Sequence, residues 1–391
     1  MLDFMYYNPT RIVFGRGVEN DAGTWIQKTG AKKALMYYGG GSIKKNGLFD
    51  AVASSLRKSD IDFVEMGGVQ PNTLLSFVRK GVEFCRKEKV DFILAIGGGS
   101  VIDSAKCVAA GAVNDNDIWD FFCGKAGPVA KALPVGVVLT LPASGSESNL
   151  TAALFNDETL EKRGSHSEAH YPMFALINPE TNFTLPPHQT ASGCCDILSH
   201  LMERYFTNTP NVDFTDRLLE GAMRSILYNA AIAMDHPDDY AARAEINFAG
   251  TIAHNGLLGC GREMCFGVHA IELELTAIYD RITHGAGIAL LTPAWMRYVH
   301  RHNPDRFAQF AVRVMDVDPP FENHDAFADE SIRRYEDWCR RLGLAIRLGE
   351  VGIGDEQFPE MASKATANTG TVGHYVPLDA AAVQDILRMA L

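Results

Sequence analysis

Residues 92–106, FILAIGGGSVIDSAK, constrain the fold more than any other stretch: an apolar run ends in three glycines and a helical pattern begins near Val101. A strand that is apolar on both sides must be covered on both faces, as in a parallel sheet with crossover helices. The same order recurs elsewhere. Ala34–Tyr38 runs into Gly39-Gly40-Gly41, 62–65 is another short run, 135–141 runs into Pro142, and Phe174–Ile177 runs into Asn178-Pro179. Helical segments at 72–88 and 101–112 lie between. This alternation predicts an α/β domain with a parallel sheet over residues 1–186. After Pro186-Pro187 apolar residues recur at three- and four-residue spacing over 188–206, 212–234, 240–258, 262–278 and 327–341. Residues 187–391 therefore read as an all-helical domain, with the piece around 316–325 a loop between helices.

Composition narrows the partners. The 391 residues carry a net charge of -12, from 36 basic and 48 acidic side chains, which argues against a nucleic-acid or anionic-membrane surface. No apolar run is long enough to span a bilayer, and the N-terminus lacks the basic and apolar regions of a signal peptide. Eight cysteines are scattered without a CxxC pair, which reads as reduced thiols in a cytoplasmic protein.

At residues 97–100 a buried strand, a glycine turn and a helix start bring backbone N–H groups and the positive helix end to one spot, which suits a pyrophosphate. The earlier Gly39-Gly40-Gly41-Ser42 segment is followed by Lys44 and Lys45, with no acidic residue until Asp50. An NAD-selective site places a carboxylate at such a position to hold the ribose hydroxyls. Small residues, a hydroxyl and two lysines favour a 2′-phosphate, so the expected cofactor is NADP(H) in preference to NAD(H). Gly15-Arg16-Gly17 opens a similar fingerprint, but Asn20 replaces its third glycine.

In GCCDILSH, Asp196 and His200 stand four residues apart, on one face of a helix, where both can reach one cation. GVHAIELELTAIYDRITHG adds His269 and His284. One carboxylate and three imidazoles suit Fe2+ or Zn2+ without discriminating between them. Cys194 and Cys195 adjoin Asp196, but neighbouring side chains on a helix diverge by about 100°, which disfavours them as ligands. Cys260 and Cys265 read as core thiols, His254 as a satisfied interior histidine, His166 and His170 as loop residues, and His236, His300, His302 and His324 as surface residues. His374 has no spacing that ties it to a site.

The segments YGGGSIKKNG, GGVQPN, AIGGGSVIDSAK, LTLPASGSESN, PETNFTLPPHQTASGCCDILSH and HAIELELTAIYDRITHG occur in order along essentially the whole chain. On these motifs the sequence resembles the iron-containing (group III) alcohol dehydrogenase family, and within it the NADPH-using butanol dehydrogenase or aldehyde reductase branch. The resemblance implies a dinucleotide-binding domain, a helical domain and an active site in the cleft between them. It implies metal ligation by Asp196, His200, His269 and His284, which would act in catalysis through the metal. It further implies cofactor contacts from Gly39, Gly40, Gly41, Ser42, Asn72, Gly98, Gly99, Ser100, Asp103, Thr140, Leu141, Ser144 and Lys162. The substrate would be a small alcohol or aldehyde, and the assembly a homodimer through an N-terminal edge strand.

Two departures stand out. The family commonly carries a second histidine four residues after the first, where it lies near the nicotinamide; here that position is Leu273, which cannot transfer a proton. The spacing from His269 to His284 is also one residue longer than usual, with Arg281 or a neighbour as the insertion. Two other readings stay open. One is a polyol oxidoreductase of the glycerol dehydrogenase or dehydroquinate synthase type. The other is an NADP-binding relative weakened in catalysis by Leu273.

Overall fold

The computed structural model describes residues 1–318 and 324–391, which form two compact units: residues 7–184, and residues 1–6 together with 185–391. The α/β unit carries β1 (Arg11–Phe14), β2 (Lys33–Tyr38), β3 (Asp62–Met66), β4 (Phe92–Gly97), β5 (Val135–Leu139), β6 (Thr151–Asn156), β7 (Glu161–His166) and β8 (Phe174–Ile177). Its helices are α1 (Ala22–Gln27), α2 (Ser42–Lys45), α3 (Leu48–Lys58), α4 (Leu75–Glu88), α5 (Gly99–Val113) and α6 (Ile118–Phe122).

Six strands form one parallel sheet in the order β1-β8-β5-β4-β2-β3. Alternate residues of the apolar strands feed two separate cores. Leu35, Tyr37, Ile93, Ala95 and Val137 pack with α4 and α5 on one face; Met36, Phe92, Leu94, Val138 and Leu176 pack with α1 and α3 on the other. The chain leaves β2 for β3 on one side and leaves β4 for β5 on the other. The topological switch point therefore lies between the carboxyl ends of β2 and β4, where dinucleotides bind in open α/β sheets. The two glycine segments flank it.

Three strands fall outside the expected pattern. β1 is a four-residue edge strand, and β6 and β7 form an antiparallel hairpin apart from the main sheet. His166 closes β7, and His170 lies in a 3-10 turn rather than a loop. β5 ends at Leu139, two residues before the expected end.

The other unit is helical: α7 (Pro187–Tyr205), α8 (Asp213–Asp235), α9 (Tyr240–His254), α10 (Gly267–Ile278), α11 (His284–Val299), α12 (Pro304–Arg313), α13 (His324–Arg341), α14 (Phe358–Thr366) and α15 (Ala380–Met389). The stretches expected to be helical at 255–258 and 262–266 are not α-helix, because α9 stops at His254 and α10 starts only at Gly267. Of the loop expected at 316–325, residues 319–323 lie outside the described residues, and the chain is helical from His324. The first six residues join this unit, contrary to a boundary at 186: the Leu2 N–H donates to Gly261 O at 2.8 Å and the Met1 ammonium to Pro210 O at 2.7 Å.

α7 is the central helix, buried from Thr190 to Tyr205. Its last carbonyls, which a helix end leaves unpaired, accept from arginines: Arg204 O from Arg262 and Tyr205 O from Arg306. Both guanidiniums also pair with Asp216. α11 crosses α7 so closely that a β-carbon at Gly285 would collide with the Ser192 carbonyl. That crossing sets where His284, one residue earlier, can point.

Candidate metal centre and dinucleotide crevice

Asp196 and His200 lie one turn apart on α7, both 3% exposed. The Asp196 Oδ1 atom is 3.4 Å from His200 Nε2, 3.5 Å from His269 Nε2 and 3.5 Å from His284 Nε2. Asp196, His200 and His269 are buried and can present donor atoms all within 4.8 Å of one another; His284, more exposed, joins them through its approach to Asp196. Bond lengths of about 2.1 Å in a tetrahedral set put neighbouring donors about 3.4 Å apart. The observed spacings therefore fit a divalent ion. Arg281 lies in the connection from α10 to α11, where it donates to Val351 O at 2.8 Å.

Two glutamates that the sequence reading passed over complete the centre. Glu203 Oε2 meets Nδ1 of His269, and Glu272 Oε2 meets Nδ1 of His284. Glu203 also accepts the Val268 N–H at 2.6 Å. The Glu203 carboxylate, hydrogen-bonded behind the His269 imidazole, fixes its tautomer and turns the other nitrogen toward the Asp196 carboxylate; Glu272 stands behind His284 as a charge contact. His269 Nε2 is buried and makes no hydrogen bond, as expected of an atom kept for a ligand. Both glutamates were legible as periodicity: Glu203 is seven residues after Asp196, and Glu272 three after His269. Gly287 leaves room for the Glu272 carboxylate, since a β-carbon there would stand 2.7 Å from its Oε1.

Electrostatics differ among the imidazoles. Burial, with His254, His269 and Arg204 nearby, holds His200 well below the usual histidine range, so it is neutral and able to ligate. Burial works against charge on His269 too, but Glu203 and Asp196 outweigh it and push it up to about 10. The pocket thus attracts a cation, be it a proton or a metal. His254, expected to be an ordinary interior residue, has its ring tilted against that of His200, with centroids 4.3 Å apart. Phe266 has a left-handed backbone, with φ of 50°, and its ring lies 5.7 Å from that of His269. Leu273 is half-buried one turn after His269. Cys195 turns to the Tyr335 hydroxyl at 3.4 Å, and Cys194 is buried with its thiol pushed up to about 12. Cys260 and Cys265 are buried and unpaired, and the eight cysteines form no disulfide. His300 is half-buried against Asp325, whereas His236, His302, His324 and His374 are exposed.

At the crevice, Gly98 caps α5 and its carbonyl accepts from Val101 and Ile102. A β-carbon at Gly99 would stand 2.5 Å from Ser144 Oγ, so glycine lets the start of α5 approach the Ser144 side chain closely. Leu141 presses on Gly98, and Thr140 N donates to Gly97 O at 3.1 Å. Asn72 has φ of 68°, and its side chain accepts from Lys162 Nζ at 3.2 Å. Thr73 donates to Ser100 O, so the 67–73 segment, β7 and the start of α5 come together. Asp103 is half-buried and takes hydrogen bonds from Ser146 Oγ and the Ala153 N–H. Gly39 O accepts from Gly68 N at 2.7 Å, while Gly40 and Gly41 have nothing within 4 Å of a would-be β-carbon and Ser42 is exposed. An acidic residue does stand near this loop: Glu65 on β3 pairs with Lys44.

A doubly wound sheet with a glycine-lined switch point, and a helical unit with a buried carboxylate and three imidazoles, define a dinucleotide- and metal-using protein class. The chain matches the iron-containing alcohol dehydrogenase profile over residues 9–179 and the C-terminal profile of the same family over 190–391. It is 40% identical over 390 residues to NADH-dependent butanol dehydrogenase A of Clostridium acetobutylicum, covering 99% of each chain. It is 34% identical over 366 residues to the NADPH-dependent aldehyde reductase YqhD of Escherichia coli, covering 93% of each. The structure of NADH-dependent butanol dehydrogenase A from Thermotoga maritima superposes with a TM-score of 0.95 at 41% identity, covering 100% of this chain and 99% of that one. The protein belongs to the iron-containing alcohol dehydrogenase family.

Proposed function

We propose that the protein is a metal-dependent alcohol dehydrogenase and aldehyde reductase acting on a small primary alcohol or aldehyde. The observation that carries this reading is the convergence of three imidazole nitrogens on one Asp196 oxygen at 3.4–3.5 Å. A bound Fe2+ or Zn2+ supplies Lewis acidity toward the substrate oxygen, and a nicotinamide supplies or accepts the hydride. Asp196, His200, His269 and His284 hold the ion, and Glu203 and Glu272 keep two of the imidazoles turned toward it. Gly98, Gly99 and Ser100 offer the pyrophosphate the N–H groups at the start of α5. Asn72, Thr140, Leu141, Ser144 and Lys162 serve the rest of the dinucleotide, and Asp103 positions the loops around it through Ser146 and Ala153.

NADP(H) is the proposed cofactor, on the strength of Gly39–Ser42 and the lysines that follow. The NADH named for two of the relatives is the competing reading, and the Glu65 carboxylate favours it. Comparing kcat/KM for NADPH and NADH over an aldehyde panel decides between them; a clear NADH preference rejects NADP(H).

Elemental analysis of the purified protein tests the metal. Asp196→Ala and His200→Ala should each lose both metal and activity, and retained stoichiometry in either variant rejects the ligand set. A homodimer is supported by β1, an edge strand, and by the exposed Tyr7 and Phe14 of the same unit. Sedimentation at a single-chain mass would reject it. No helix among the described residues is long and apolar enough to cross a membrane, and with eight unpaired thiols a cytoplasmic location is proposed.

A further inference from the structure

Three side chains at the carboxyl end of β2 form a bound set. The Tyr38 hydroxyl donates to Glu65 Oε2 at 2.6 Å, and Lys44 Nζ stands 2.8 Å from the same oxygen. The Lys44 ammonium also lies 4.6 Å from the centre of the Phe49 ring and 5.4 Å from that of Tyr38. Gly67 permits this arrangement, because a β-carbon there would strike the Tyr38 ring. Lys44 lies two residues after Ser42 in the one-turn helix α2, and would-be β-carbons at Gly40 and Gly41 meet nothing within 4 Å.

For a ribose 2′-phosphate, this arrangement is doubly unfavourable. Glu65 occupies the nearest ammonium, and its own charge repels the phosphate dianion. A ribose hydroxyl suffers neither effect. Hydrogen bonds from Lys44 and Tyr38 keep the Glu65 carboxyl below its ordinary range, so it is charged at neutral pH.

We propose that Glu65 is a specificity-determining residue that holds Lys44 away from the cofactor and restrains 2′-phosphate recognition. The inference rests on the reading that segment 39–45 receives the adenosine ribose. The NADPH-to-NADH ratio is then set by Glu65 and Lys44 together, not by the glycine loop alone.

The test is calorimetric binding of 2′,5′-ADP and 5′-ADP to the metal-loaded full chain. Glu65→Gln should tighten 2′,5′-ADP about five-fold, the scale of a partly exposed charge pair, and leave 5′-ADP nearly unchanged. Adding Lys44→Gln to that variant should remove most of the gain, leaving only the part due to the lost repulsion. An unchanged 2′,5′-ADP affinity in Glu65→Gln, or a gain retained in full after Lys44→Gln, overturns the proposal. The paired variant Ser42→Ala with Lys45→Gln separates the two levels. If it weakens 2′,5′-ADP alone while Glu65→Gln does nothing, the loop reading stands and the role of Glu65 falls. If no variant alters the preference between the two nucleotides, both fall.

Discussion

Glu203 touches no donor atom of the ion, yet it orients His269 from behind and ties down the start of α10 through the Val268 N–H. Glu203→Gln keeps the shape and removes the charge. Metal affinity should fall about 10- to 100-fold, read by competition with a chromophoric chelator. Leu273→His restores an ionisable group one turn from His269, and turnover should rise with a reduced solvent isotope effect; unchanged turnover would show that no proton relay is missing there. At this scale the sequence was informative wherever the proposed ligands share a helix. Asp196 and His200 follow from the four-residue repeat, and Glu203 extends the same stripe. His254 could not be found that way, because it reaches His200 from the end of another helix, a relation made only by packing. The same holds for Glu65, twenty-one residues from Lys44 and brought to it by strand pairing.

The crossing of α7 and α11 depends on one missing side chain. Gly285→Ala sets a methyl group against the Ser192 carbonyl and should cost about 1–3 kcal/mol, read by urea denaturation, with His284 displaced from Asp196. α5 supplies a second test. Lys106 is buried and donates to Asn149 O, Asn149 Oδ1 and Thr151 O at 2.8–3.0 Å. Burial pulls its ammonium down to about 8 from the ordinary 10.5, against Asp103 and Glu147. Between those values the unfolded chain keeps a proton that the folded chain has released, so this residue's contribution to stability improves as pH rises from about 8 to 10.5. The difference in unfolding free energy between the wild type and Lys106→Met should shift toward the wild type across that window; a flat difference rejects the assignment. The long buried strands were legible because they are apolar throughout. The β6–β7 hairpin was not: β7 reads EKRGSH, with neither alternation nor β-branched residues, and is held by pairing with β6 and by the hydrogen bond from Lys162 to Asn72. The cofactor contacts expected of Asn72 and Lys162 came from family resemblance, and their mutual hydrogen bond from the fold.

The molecule has its cores in separate places: the sheet is packed on both faces in one unit, and the other has a single helical core. An ion held by Asp196 and the histidines stabilises only the helical unit directly. Chelation should therefore lower the calorimetric transition of that unit and leave the sheet's transition in place; equal shifts in both would show that they unfold as one. The parallel sheet and the helical half were readable at this scale because the change in periodicity at Pro186-Pro187 is abrupt. The return of residues 1–6 to the helical unit left no mark in any local pattern.

That return, with the pairing of β1 to β8, bears on how the polypeptide is made. Residues 11–14 pair with 174–177 and Leu2 with Gly261, so neither contact can close before chain far along the sequence has been synthesised.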